Sequence, residues 1–134
     1  MKIVVATDFS DLAARAADEA LRLARATQGQ LELVHVVEAV DDVDSDDPEI
    51  RAFHEELKQK SQQKLSAEEN RLGLAQGSSR VAVGIRHLAI VELANEAGAE
   101  LLVLGSRPLV DASSRPGVSH KVALCATLPT MLVP

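Results

Sequence analysis

Five short runs of branched apolar residues mark the chain, at 2–7, 31–37, 80–83, 101–105 and 130–133. Runs such as Leu101-Leu102-Val103-Leu104 do not alternate with polar residues. A strand with that pattern is covered on both faces, which predicts a parallel sheet with helices on each side. Between the first two runs, Leu12, Ala13, Ala16, Ala20, Leu23 and Ala24 recur at helical spacing. They predict a helix with Ser10 as its N-cap and Gly29 as its C′ residue. Its small inner residues suit close packing on the sheet. Between the third and fourth runs, Ile90, Val91, Leu93, Ala94 and Ala97 predict a second helix of this kind, stopped by Gly98.

The segment between the second and third runs is less regular. Asp41-Asp42-Val43-Asp44-Ser45-Asp46-Asp47 reads as a solvated acidic linker, and Pro48 suits the first turn of a helix reaching about Leu72. That helix carries a thin apolar seam of Ile50, Phe53, Leu57, Leu65 and Leu72, and the rest of it is polar enough to face water. The order β-α-β-α-β-α-β-α-β, without an internal repeat or a domain boundary, predicts one doubly wound α/β domain over residues 1–134.

Composition narrows the function classes. A chain of 134 residues fits one domain that buries about 65–70% of its unfolded surface. It is 46% hydrophobic and 25% charged, as ordinary globular proteins are. No apolar run is long enough to span a bilayer, and the first residues lack a signal-peptide core. Cys125 is the single cysteine, which excludes an internal disulfide framework and suits a reducing, cytoplasmic setting. A net charge of −6 without a basic stripe argues against a nucleic-acid partner. Phe9 and Phe53 are the only aromatic rings of the Phe, Tyr and Trp class, so a base-binding pocket here has little to stack on.

The candidate chemistry gathers at strand ends. Ala6-Thr7-Asp8-Phe9-Ser10 leaves the first strand and enters a helix, which is where open α/β sheets place ligands. The Asp8 carboxylate repels phosphate; it suits hydrogen bonds from a base or ribose hydroxyl, or the holding of a turn. After the fourth strand come Gly105-Ser106-Arg107-Pro108, and later Pro116-Gly117-Val118-Ser119 opening the last helix. Gly105 allows close backbone approach, Arg107 suits a phosphate, and Ser119 offers a hydroxyl near main-chain donors. Opposite Asp8 these would make a crevice with a base end and an anion end. Glycine turns and helix caps explain the same residues equally well, and both readings stand on residue chemistry alone.

Other motifs fall away. The alternating Asp42, Asp44 and Asp46 suggest a calcium loop, but Asp47 and Phe53 stand where an EF-hand needs Gly and Glu. His35, His54, His87 and His120 are dispersed, without metal-ligand spacing; His35 is expected near the crevice as a satisfied core histidine. Walker, Rossmann and Gly-x-Ser-x-Gly patterns are missing from the sequence. A phosphoaspartate receiver is also disfavoured, since the third strand ends in Val83-Gly84 rather than in Asp. Cys125, between Leu124 and Ala126, reads as a small buried hydrophobe.

Taken together, six segments carry a resemblance to the universal stress protein family. They are Ile3 to Ser10; Leu33-Val34-His35-Val36; Val81-Ala82-Val83-Gly84; Ala99 to Arg107; and Val118-Ser119-His120-Lys121-Val122 with Pro129 to Val133. The resemblance runs nearly end to end. It implies a five-stranded parallel sheet in the order 3-2-1-4-5 and a homodimer joined through the last strands, whose open edge would gain from pairing. It also implies two branches, one binding ATP through a Gly-x-x-Gly after the fourth strand and a later Gly-Ser or Gly-Thr, and one that does not bind it.

Carried over by that resemblance, Thr7 and Asp8 match the adenine or ribose side, and Val36 the adenine-side position on the second strand. Gly105, Ser106 and Arg107 begin the phosphate motif, and Gly117, Val118 and Ser119 close it. Pro108 stands at the second motif glycine and removes a backbone donor. Pro116 and Gly117 stand where Gly-Ser belongs, and Asp111 is expected near the phosphates, offset by Arg107 and Arg115. The base end is thus intact and the triphosphate end altered. The expected function is a regulatory or protective binding module of the stress response, acting through protein partners and binding ATP weakly or not at all. The rival is a member holding ATP or AMP in a variant pocket, with slow hydrolysis. A dedicated enzyme lacks support, because no nucleophile with an adjacent base and no paired carboxylates can be assembled.

Overall fold

The computed structural model describes residues 1–42, 45–111, 113, 115 and 117–134. Five strands, β1 (Lys2–Ala6), β2 (Gln30–Glu38), β3 (Arg80–Gly84), β4 (Leu101–Gly105) and β5 (Thr130–Val133), alternate with four helices. These are α1 (Asp11–Ala26), α2 (Pro48–Leu72), α3 (Arg86–Glu96) and α4 (Val118–Cys125). The strands pair in parallel in the order β3-β2-β1-β4-β5. This is the doubly wound sheet that the apolar runs predict, with boundaries within about a residue.

Alternation along the strands divides the core in two. Ile3, Val5, Leu31, Leu33 and Val103 pack with alanines of α1 and with Leu65 and Leu72 of α2. Val4, Ala6, Val34, Val36, Leu102 and Leu104 pack with α3 and with Val122 of α4. The central strand β1 is short. It ends its pairing at Ala6, opposite Val34 and Leu104. Beyond that point His35, Val36, Val37 and Glu38 of β2 pair with β3 alone, leaving a step in the sheet above Ala6.

Helix ends follow local chemistry, with one correction. Ser10 caps α1 as expected, its Oγ accepting from the Ala13 N–H at 3.1 Å. Gly29 is not the C′ residue. Gln28 takes the left-handed turn at φ 53°, and the Gly29 N–H donates to Ala24 O at 2.7 Å. Gly29 is glycine because a Cβ there would lie 2.2 Å from the Met1 carbonyl oxygen. On the inner face of α1 Ala17 is also buried, while Leu12 and Leu23 are only half-buried.

The seam of α2 also differs from the apolar pattern. Phe53 is 44% exposed, Ile50 and Leu57 are half-buried, and the buried residues are His54, Ser61, Leu65, Glu69 and Leu72. Two polar devices replace the missing apolar contacts. His54 Nε2 accepts the Val40 N–H at 3.2 Å, and the Glu69 carboxylate accepts from the N–H groups of Gly77 and Ser79 at 3.0 and 2.8 Å. Asp47, read as linker, caps α2 by accepting from the Glu49 N–H at 2.9 Å. Asp44 of the acidic run and Pro116 of the later loop lie outside the described residues.

Candidate functional site

The step above β1 opens into a crevice with two connected parts. The inner pocket, about 110 Å³, is lined by the ends of β1, β2 and β4, among them Thr7, Asp8, Val36, Ile90 and Gly105. The outer chamber, about 640 Å³, is lined by Arg86, Arg107, Pro108, Arg115, Gly117 and His120 among others. Asp8, Leu12, Arg86, Gly105, Val118 and Ser119 line both parts and form the passage between them. The inner floor is apolar, with Val34, Val36, Ile90 and Leu104. The outer wall carries three guanidinium groups, and Asp8 is the acid among its described lining residues.

Asp8 owes its position to the strand-to-helix turn. Its Oδ1 accepts from the Ser10 N–H at 3.0 Å and from the Ser10 hydroxyl at 2.5 Å. Burial opposes the charge, but the Ser10 bonds, its own backbone N–H and the nearby Arg86 outweigh it and hold the carboxyl below its usual range. The turn forces Phe9 to φ 67°, an uncommon conformation for a bulky residue. Local contacts hold it there. The Phe9 N–H donates to Thr7 Oγ1 at 3.0 Å, its ring lies 4.6 Å from that of His35, and Lys64 Nζ stands 5.5 Å from its centroid.

The sequence-predicted residues separate into four groups. Thr7 and Val36 line the inner pocket, Arg107 and Gly117 the outer chamber, and Asp8, Gly105, Val118 and Ser119 both. Ser106 lines neither. It is buried, and its Oγ accepts from the Ser119 hydroxyl at 3.2 Å, so it steadies the first turn of α4 from below. Gly105 answers first to packing: a Cβ there would lie 2.8 Å from the Leu12 carbonyl oxygen. Asp111, expected near the phosphates, lines neither part and accepts from the Ser113 N–H at 2.9 Å and the Ser113 hydroxyl at 2.5 Å.

Sequence reasoning missed Arg86. It opens α3 just after β3, on the carboxyl side of the sheet where loops surround a crevice. That position was the available signal. His35 is half-buried and also lines the inner pocket, its Nδ1 2.6 Å from the Thr7 carbonyl oxygen. Among the described residues, no group of three His, Cys, Asp or Glu is arranged to hold a metal ion, and no helix is long and apolar enough to cross a membrane.

Comparison with known proteins gives a consistent result. The model of the universal stress protein family matches residues 1–134. No curated protein sequence matches the chain. Among solved structures, the universal stress protein UspA from Lactobacillus plantarum is similar at 19% identity and TM-score 0.79, with 100% of this chain and 97% of that one covered. A universal stress protein solved in complex with cAMP is 25% identical at TM-score 0.74, covering 100% of this chain and 97% of that one. A universal stress protein from Archaeoglobus fulgidus in complex with dAMP is 24% identical at TM-score 0.61, covering 100% and 98%.

Proposed function

Because the chain belongs to the universal stress protein family, we propose that it is a regulatory or protective binding module whose crevice recognises a nucleoside and holds ATP weakly. The stepped crevice carries this reading. An apolar floor of Val36, Ile90 and Leu104 suits a base, and the Asp8 carboxylate at the passage suits donors of a base or ribose. A similar universal stress protein, 25% identical, is solved with cAMP, which supports a nucleotide of that size in the same kind of recess.

Weak hold on a triphosphate follows from the far wall. Pro108 lines the outer chamber without an N–H to offer, so a phosphate chain there loses the main-chain donor that a glycine at this position would supply. A carboxylate held below its usual range takes up a proton reluctantly, which makes Asp8 a poor general base. The edge strand β5 leaves its outer side unpaired in the sheet order, and a second copy pairing there would give the dimer. Protein partners of that dimer, in the cytoplasm that a lone cysteine suits, would read the bound state.

Equilibrium dialysis against adenosine, AMP and Mg-ATP tests the reading. A chain without Trp or Tyr adds almost no absorbance at the nucleotide wavelength. Saturable excess of adenosine or AMP on the protein side, with ATP held less tightly, is the expected result. Absence of excess for all three at millimolar ligand would return the search to protein contacts alone.

A further inference from the structure

Arg86 lines both parts of the crevice. A group leaving the inner pocket past Asp8 therefore meets this guanidinium first. Its structural commitment is slight. Nη2 stands 3.6 Å from Glu38 Oε2, beyond hydrogen-bond range, and the Glu38 side chain is 61% exposed. An exposed pair at that distance contributes little. The planar fork thus remains open to another anion.

Two neighbouring features favour the same ligand group. Arg86 opens α3, whose N-cap Ile85 gives no side-chain hydrogen bond, and α4 opens at the chamber on Gly117 in the same way, so neither helix start is closed by a side-chain cap. Across the chamber Pro108 offers no N–H. Arg107 and Arg115 line only the outer chamber and are exposed, where a charge is screened by water. Arg86, with its side chain 42% exposed, is the guanidinium that lines both parts, which makes it the cation nearest the nucleoside.

Resting on the nucleoside reading of the inner pocket, we propose that Arg86 anchors the first phosphate of a 5′-nucleotide. A side-chain guanidinium then does what a main-chain loop would do, and the preferred ligand is a nucleoside monophosphate. Glu38 competes with that phosphate for the same side chain.

Calorimetric titration of adenosine, AMP and ATP into the wild-type chain, Arg86→Gln and Glu38→Gln tests this. AMP should bind about tenfold or more tighter than adenosine, and ATP less tightly than AMP. Arg86→Gln should bring the ratio of AMP to adenosine affinity down to about one. Glu38→Gln should tighten AMP by about twofold and leave adenosine alone. If adenosine binds but AMP gains nothing, or Arg86→Gln keeps the gain, the anchor is overturned while the nucleoside reading stands. If none of the three ligands binds, that reading falls and the anchor with it. Should Arg86→Gln lose adenosine as well, the Glu38→Gln arm decides, and unchanged AMP affinity there overturns the assignment.

Discussion

His35 donates its Nδ1–H to the carbonyl oxygen of Thr7 across 2.6 Å, tying the second strand to the turn that carries Asp8. A carbonyl oxygen only accepts, so the bond fixes the neutral tautomer and leaves Nε2 as an acceptor. Burial pushes the imidazole below its ordinary value of 6.5; Thr7 and Asp8 oppose that, while Arg86 and Lys64 add to it. With the folded value depressed, the unfolded chain takes up the proton first as pH falls. The stabilising contribution is complete above 6.5 and is lost below it. Urea unfolding between about pH 7.5 and 5 should show the wild type losing more stability than His35→Gln. Parallel curves would show that His35 does not titrate in this way.

Asp8 is predicted to matter for the nucleoside, and Pro108 for the phosphates. Asp8→Ala should weaken adenosine or AMP binding by about 1–3 kcal/mol, since donors of the base or ribose lose their acceptor. Pro108→Gly should improve ATP more than AMP, because it restores an N–H to the outer wall. Dialysis of the two variants checks both. A chain indifferent to both changes does not use this crevice for nucleotides.

Gly105 should resist any side chain. A Cβ 2.8 Å from Leu12 O and 3.0 Å from Leu12 Cγ forces α1 away from β4. Gly105→Ala should cost about 1–3 kcal/mol in thermal unfolding. Gly117, whose Cβ would meet nothing within 4 Å, provides the control. Gly117→Ala should cost less than Gly105→Ala, about 0.5–1 kcal/mol, because Gly117 is the N-cap of α4, where alanine is less favourable than glycine.

Glu69 is 2% exposed yet ionised, because four donors converge on it. Burial alone would raise its carboxyl, but the bonds from Ser79, Gly77 and Ser78 bring it below 4.5. Its contribution is therefore present above pH 4.5 and lost on further acidification. Glu69→Ala should destabilise the fold by about 1–2 kcal/mol at neutral pH, since the part-buried N–H groups of Gly77 and Ser79 lose their partner. Chemical denaturation at neutral and acid pH tests both magnitude and sign.

The sheet was legible because strands covered on both faces are rich in branched apolar residues, as Leu101 to Leu104 are throughout and Leu31 to Val37 are apart from Glu32 and His35. The start of α2 was legible too, since Pro48 can open a helix, and the structure ends it where Gly73 takes the left-handed cap at φ 72°. Its buried face was not. His54, Ser61 and Glu69 are buried through hydrogen bonds and local packing that only the fold brings together, whereas Phe53 looked like core and faces water. The same limit applies at the crevice. Asp8 stands in a recognisable turn, but Arg86 enters only because β3 lies beside β2 and delivers α3 to the same rim. Ser106, adjacent in sequence to two lining residues, turns inward to Ser119 instead.

The recess itself comes from unequal strand lengths: β1 stops at Ala6 while β2 continues to Glu38. Exchanging a side chain on its walls changes which guest fits but leaves the notch in place, as a mould outlasts any one casting. Shape and chemistry can therefore change independently along a lineage. Affinity could drift from one small molecule to another, or to none, while the backbone frame stays intact for whatever tenant comes next.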